Sequence, residues 1–305
     1  MKYLVTGGAG FIGSHLVDRL LLNGDEVVVV VDNLSEGKRE RLQIGRERLV
    51  VHEASILEGE SRELFRGVDI VFHLAALPRP QLSIIDPVPA HDVNVTGTLN
   101  VLMACKHYQV ERMVFISSAS VYGEQDRYPC AEDAVPNPMS PYALHKLIGE
   151  QYCQLFTQIY GLETNCLRLF NVYGTRMNPY GEYSSLIPKF IRLISDGINP
   201  TINGDGEQAR DFVHVRDVIE AMMLAAHSDV YGEVFNVGSG RNVSVNEVFR
   251  IICQSLGKQI EPIHGPPVIE PTQTLANRGK IYSVLGWEPR VDLTSGIWEL
   301  ASATG

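Results

Sequence analysis

The chain has 305 residues, 45% of them apolar, with 26 basic against 36 acidic side chains and a net charge of −10. That length and composition suit a globular protein with material for one large domain or two fused ones. So acidic a chain lacks the electrostatic footprint of a nucleic-acid binder, and an anionic ligand must be held by local groups. In chain order, Lys2–Thr6, Glu26–Val31, Ile70–Leu74 and Arg112–Ser117 read as short β-branched strands, with helices predicted over Phe11–Asn23 and Val93–His107. Glu163–Leu169 and Val234–Val237 follow as strands around a helix from Val215 to His227, and a last helix covers Ile297–Ala301. Several strands are apolar on both faces, as a parallel sheet covered by helices requires. Repeated βα units predict an α/β fold, a doubly wound parallel sheet of Rossmann type. Residues 1–172 and 212–240 are assigned to it; the Gly-, Pro- and Asn-rich 173–211 and the segment 241–305 form a smaller second lobe on its carboxyl edge.

The turn Thr6-Gly7-Gly8-Ala9-Gly10-Phe11-Ile12-Gly13 leaves the first strand and opens the first helix. Glycines there allow a tight turn and close approach of backbone to a pyrophosphate, whose charge the helix N-terminus meets. The second strand ends at Asp32, nineteen residues after Gly13. A carboxylate at that place accepts the ribose hydroxyls and repels a 2′-phosphate, and no Arg follows immediately, so NAD is expected over NADP. Tyr142 and Lys146 are four residues apart. On a helix they share one face, and an ammonium beside a phenol lowers its pKa towards that of a general base. Taken alone, this spacing is also that of an ordinary exposed helix pair.

The spacing Gly7-x-x-Gly10-x-x-Gly13, with Phe72-His73-Leu74-Ala75-Ala76 and the Ser118, Tyr142, Lys146 register, resembles the extended short-chain dehydrogenases/reductases that act on nucleotide sugars. The resemblance covers essentially the whole chain. It implies NAD contacts at Gly7, Gly10, Phe11, Ile12 and Gly13, at Asp32 and Asn33, and at Leu74, Ala75 and Ala76. Ser55 and Ile56 fall where the family holds the adenine; Ser55 replaces the usual Asp, which predicts a weaker contact. Asn94 matches a helix Asn of the family, with a structural polar contact as the alternative. Ser117, Tyr142 and Lys146 complete the cofactor side. Ser118 matches the catalytic hydroxyl, and Ser117 is expected to bond backbone.

The family's 4,6-dehydratases carry Asp-Glu where this chain has Ala119 and Ser120, and its sugar-acid decarboxylases usually place Glu at Ser120. Neither residue can act as acid or base, so the expected activity is a 4-epimerase that oxidises C4 and returns the hydride. Another 4-keto-forming enzyme is the alternative; a catalytically silent NAD-binding regulator is a second. Ser118, Ser120 and Tyr142 are expected on the sugar, with Asn171, Arg176, Leu186 and Arg210 around the nucleotide diphosphate and base. An ungapped count puts Thr274 beside the sugar's C2 substituent, with room for an N-acetyl group. The same count finds no Arg in Pro267-Val268-Ile269-Glu270, the place of a second diphosphate clamp, so either Lys280 or Arg278 substitutes or nucleotide affinity is lower. A homodimer through Leu99–His107 and Lys146–Tyr160 is implied by the resemblance. The five scattered cysteines fit free thiols in a reducing cytoplasm, with no metal site. The chain enters a strand without a signal-like segment, and its longest apolar run, Val27–Val31, is too short to span a bilayer.

Overall fold

A computed structural model describes residues 1–22, 27–43, 47–180, 185–267 and 271–304. Asn23 and Glu26, at the edges of two predicted elements, and Val268–Glu270 of the missing clamp lie outside the described residues. The first half is β1 (Lys2–Thr6), α1 (Phe11–Leu21), β2 (Val27–Asp32), β3 (Leu49–Glu53), β4 (Ile70–His73), α2 (Pro80–Ile85), α3 (Pro87–His91), α4 (Thr98–Tyr108) and β5 (Arg112–Ser118). Then come α5 (Pro141–Tyr160), β6 (Glu163–Leu169), β7 (Asn171–Tyr173), α6 (Leu186–Ser195), β8 (Thr201–Asn203), β9 (Ala209–His214), α7 (Val215–His227) and β10 (Glu233–Val237). The chain ends with β11 (Asn242–Ser244), α8 (Val245–Leu256), β12 (Ile263–Gly265), α9 (Gly279–Leu285) and α10 (Leu293–Thr304).

Seven strands form one sheet in the order β10-β6-β5-β4-β1-β2-β3, every neighbouring pair parallel. Alternate side chains explain the double layer. Tyr3, Val5, Val28, Val30, Phe72 and Val114 enter the core shared with α1 and α7. Leu4, Val29, Val31, Val71, Met113 and Phe115 enter the core under α4 and α5. The strand order reverses between β1 and β4, and a crevice opens at such a switch point outside the carboxyl ends.

Local chemistry fixes α5, which carries Tyr142 and Lys146. Ser140 caps it by accepting the Ala143 N–H at 3.2 Å, Pro141 occupies the first turn, and Gly161 ends it at φ +69°. Gly149 lets it approach β5: a Cβ there would lie 2.4 Å from Cζ of Phe115.

The predicted helix over Val93–His107 is instead a π-helical turn, Asp92–Gly97, that runs into α4. A small sheet, β11-β9-β7, and the paired β8 and β12 carry the second lobe, with α6, α8 and α10 closing a core around Phe190, Val248, Phe249 and Ile297. Residues 279–287 depart from the predicted division. Ile281 and Trp287 join the core of the main sheet, where Trp287 Nε1 donates to the Asp217 carbonyl at 2.9 Å. All five cysteines are free thiols. Among the described residues no helix is long and apolar enough to cross a membrane.

Candidate active site

A cavity of about 640 Å³ runs along the switch point from the glycine turn to β5 and α5. Of the predicted cofactor residues, Gly7, Gly10, Phe11, Ile12, Gly13, Asp32, Asn33, Ser55, Ile56, Leu74, Ala75, Ala76, Ser117, Tyr142 and Lys146 all line it. The turn has no room for side chains. At Gly7 (φ +71°) a Cβ would lie 2.8 Å from the Ala75 nitrogen, and at Gly13 only 2.2 Å from the Gly7 carbonyl oxygen. No side chain caps α1, so its first N–H groups face the cavity, a cradle that fits a dinucleotide pyrophosphate.

Asp32 is held by the backbone of its surroundings: its carboxylate accepts the N–H groups of Ala9 at 2.9 Å and Leu34 at 2.8 Å. Asn33 turns inward on Ser35, and Ser55 Oγ accepts the Leu57 N–H at 3.2 Å. Sequence reasoning missed Arg41, which lies in the cavity nine residues past Asp32 and donates to the Ala9 carbonyl at 3.3 Å. Burial, then repulsion from Arg176, lowers its pKa, against attraction to Asp32. Glu36 and Arg79, also missed, line opposite loops of the cavity and form an ion pair at 2.5 Å.

Asn94 is absent from the lining. Its amide grips the backbone of Leu77, accepting at 2.8 Å and donating at 3.2 Å, so its side chain supports the loop that faces the cavity. His73 bridges Thr6 at 2.7 Å and Thr98 at 3.0 Å, and burial, helped by Lys146, pushes it down to about 3, so it stays neutral.

At the reacting end Ser118, Tyr142 and Lys146 converge on the cavity from the end of β5 and the first turns of α5. Ser118 Oγ accepts the Ser120 N–H at 3.1 Å. The expected mutual tuning of Tyr142 and Lys146 is corrected here. Lys146 aims its ammonium at the Ile116 carbonyl at 2.6 Å, and its Nζ is 6.0 Å from the centre of the Tyr142 ring. Burial pushes the Tyr142 phenol up, opposed by the hydrogen bond with Ser118, and burial brings Lys146 down to about 8, opposed by Glu150 and Cys153. Desolvation disfavours both charged forms. Ser117, expected on backbone, bonds the Glu150 carboxylate. The Ser120 hydroxyl is buried without a hydrogen-bond partner among the described residues. Tyr122 packs inside, donating to Asn236 at 2.7 Å.

The predicted substrate residues divide. Asn171 Nδ2 meets Thr274 Oγ1 at 3.2 Å, and Thr274 also accepts the Asp211 N–H at 3.2 Å. Arg210, next along β9, donates to the carbonyls of Ala209 at 2.9 Å and Thr272 at 3.5 Å. This group lies beside the cavity lining, which at this end is Phe170, Val172, Met177, Asn178, Tyr180 and Ser185. Leu186 follows Ser185 as the first residue of α6. Arg176 is placed elsewhere, paired with Asp18 of α1 at 2.5 Å. Lys280, an expected substitute for the clamp, pairs with Glu233 at 2.7 Å at the edge of the main sheet, while Arg278 packs over Gly240. Glu124, in the loop after β5, accepts Thr272 N–H and Oγ1 at 2.9 and 2.8 Å and ties the active-site loop to the Thr274 segment.

A dinucleotide cradle beside a Ser, Tyr and Lys on a doubly wound sheet defines an NAD-linked enzyme of the short-chain dehydrogenase/reductase type. Residues 3–238 match the NAD dependent epimerase/dehydratase family, and the chain belongs to that family. Its cofactor is NAD. The chain is 39% identical to a putative UDP-glucose 4-epimerase of Methanocaldococcus jannaschii, over 96% of this chain and 95% of the relative. It superposes on the UDP-glucose 4-epimerase of Thermotoga maritima, solved with UDP-glucose, with a TM-score of 0.95 and 38% identity, over 100% and 98% of the two chains. A UDP-N-acetylglucosamine 4-epimerase of Methanobrevibacter ruminantium, in complex with UDP-N-acetylmuramic acid, gives 0.95 and 35%, over 99% and 97%. UDP-glucuronic acid decarboxylases match too, at 31% and 33% identity.

Proposed function

We propose that this enzyme interconverts the C4 epimers of a UDP-hexose, glucose/galactose or their N-acetyl forms, through a 4-keto sugar. The observation that carries the reading is the reacting end itself: Ser118, Tyr142 and Lys146 line the cavity while Ala119 and Ser120 supply no acid or base beside them. When bound, NAD accepts the C4 hydride, contributes positive charge in its oxidised form, and gives the hydride back. Tyr142 takes the O4 proton as a phenolate and returns it to the ketone oxygen of the turned sugar. Ser118 holds that oxygen. Lys146 keeps positive charge behind the phenol. Desolvation raises Tyr142 in the protein alone, so the phenolate depends on positive charge brought near it. Ser120, with its unpartnered buried hydroxyl, is suited to a sugar hydroxyl. Asn171 and Thr274 sit together, as a wall for the C2 substituent requires, and a Thr there leaves space for an N-acetyl group. The protein acts in the cytoplasm as a homodimer in this reading.

The test is incubation of the purified protein with UDP-glucose, with UDP-N-acetylglucosamine and with UDP-glucuronic acid, no NAD added. Formation of the C4 epimer supports the proposal. Release of CO₂ from a UDP-uronic acid, or an accumulating 4-keto-6-deoxy product, points to a decarboxylase or dehydratase and sinks it. Bound NAD with no turnover of any nucleotide sugar favours a silent regulator.

A further inference from the structure

Behind the reacting groups, α5 grips β5 at two consecutive residues. Lys146 Nζ donates to the Ile116 carbonyl at 2.6 Å, and Ser117 Oγ donates to Glu150 Oε1, one helical turn further on. Ser118 is the next residue of the strand. Arg168 lies opposite Ser117 in the neighbouring strand β6 and forks onto the same carboxylate, Nε to Oε1 at 3.0 Å and Nη2 to Oε2 at 2.8 Å. The guanidinium is fixed in turn: its Nη1 donates to the Glu132 carbonyl at 3.2 Å, and its Cζ sits 4.7 Å from the centre of the Tyr122 ring. Both charged side chains of the pair are almost fully buried, 5% and 3% exposed. A buried ion pair is weak evidence of stabilisation, because desolvation offsets most of its attraction. A role in placing the neighbouring groups is therefore the better explanation.

We propose that Glu150 is the positioning residue of the reacting end, fixing Ser117 so that Ser118 is presented correctly and furnishing the counter-charge that Lys146 needs to remain an ammonium. Arg168 orients the carboxylate and shares it. The groups facing Lys146 are Tyr142, Glu150 and Cys153 on its own helix, His73 from β4, and the Phe115 ring at 5.0 Å from β5; Arg168 of β6 reaches it through Glu150. His73 is neutral, so Glu150 is the carboxylate in this set. Burial brings Lys146 down to about 8 even with Glu150 opposing it. The proposal rests on the epimerase reading only for the step that Ser118 performs.

The experiment is a pH titration of Lys146 in ¹³C-lysine-labelled protein with NAD bound, followed by NMR and assigned by the signal lost in Lys146→Arg. Glu150→Gln is expected to lower the midpoint by about 1 unit or more, and Arg168→Gln to raise it. A defect of packing alone does not move the two variants in opposite directions. Ser117→Ala keeps the ion pair; it should leave the midpoint in place and cut kcat about tenfold at unchanged KM. An unmoved midpoint in Glu150→Gln, or shifts of the same sign in both charge variants, overturns the proposal. Should neither charge variant fold, unaltered kcat in Ser117→Ala overturns it, and the kcat loss at constant KM supports it. The titration needs no substrate. A protein that titrates as expected yet epimerises nothing removes the proposed function and leaves Glu150 its role.

Discussion

At the scale of single residues, Lys146 is held in a position that costs the fold stability. Its pKa falls from the ordinary 10.5 to about 8 because burial disfavours the ammonium. The sign follows from linkage. Between about pH 8 and 10.5 the unfolded chain binds more protons at this lysine than the native one, so stability contributed by this site rises with pH across that window and is lost as pH falls through the folded value. At neutral pH the penalty is roughly 3 kcal/mol, partly offset by the bond to Ile116, worth about 1 kcal/mol. Lys146→Met should therefore raise the Tm of the protein at pH 7 by ~3 °C while abolishing turnover. A calorimetric scan that shows destabilisation would refute the strain. Tyr142→Phe removes the proposed proton acceptor and nothing else of size. It should lower kcat by about 10³ or more and leave NAD bound, read from the cofactor released on denaturation. These two residues were legible because i,i+4 spacing is local. Their pKa directions were not, since the burial around Tyr142 comes from distant elements, including Ser83 of α2, whose hydroxyl accepts the Tyr142 N–H at 3.0 Å. Glu150 was within reach of the same logic, one turn beyond Lys146, but only Arg168 on β6 reveals what it holds.

At the scale of elements, the βα alternation could be read directly, because strands buried on both faces leave continuous apolar runs and glycines punctuate the turns. The π-helical turn at Asp92–Gly97 could not, since its cause is tertiary: the Asn94 amide binds both polar groups of the Leu77 backbone. Loop-to-loop contacts were likewise invisible. Glu36, after β2, and Arg79, after β4, meet across the cofactor cavity. The pair is about one third exposed on the arginine side, where an ion pair is worth ~1 kcal/mol at most. That is enough to slow escape of a bound ligand, which would matter to the proposed enzyme, since it returns the hydride it has taken. Arg79→Ala should speed NAD dissociation about threefold to fivefold and narrow the difference between low and high salt. Stopped-flow exchange against a labelled dinucleotide measures it; an unaltered off-rate would show that the two loops do not act as a clasp.

At the scale of the molecule, one face carries apolar groups that the single chain leaves in water. On α4 Met103 is 40% exposed, and along α5 Leu144, Leu155, Ile159 and Tyr160 are 46%, 44%, 59% and 46% exposed. Ile84, Ile85 and Val88 of the neighbouring α2 and α3 add to them. Scattered exposed apolar residues need no explanation, but a contiguous set on adjacent helices marks an interaction surface. Two helices presenting such a face can pair with the same helices of a second copy about a two-fold axis, as a four-helix contact. A chain carrying glutamate at two of these positions should lose that contact without touching the cavity: Leu155 and Ile159 project from the far half of α5, about four and five turns past Tyr142. We therefore expect light scattering to give twice the chain mass of 33.8 kDa for the wild type and the single mass for Leu155→Glu/Ile159→Glu, with NAD still bound. The helix whose face would pair the subunits is the one that clamps β5, so the monomeric variant should also lose kcat, by a few-fold. A wild-type protein that is monomeric at micromolar concentration would refute the assembly and leave the chemistry of the site intact.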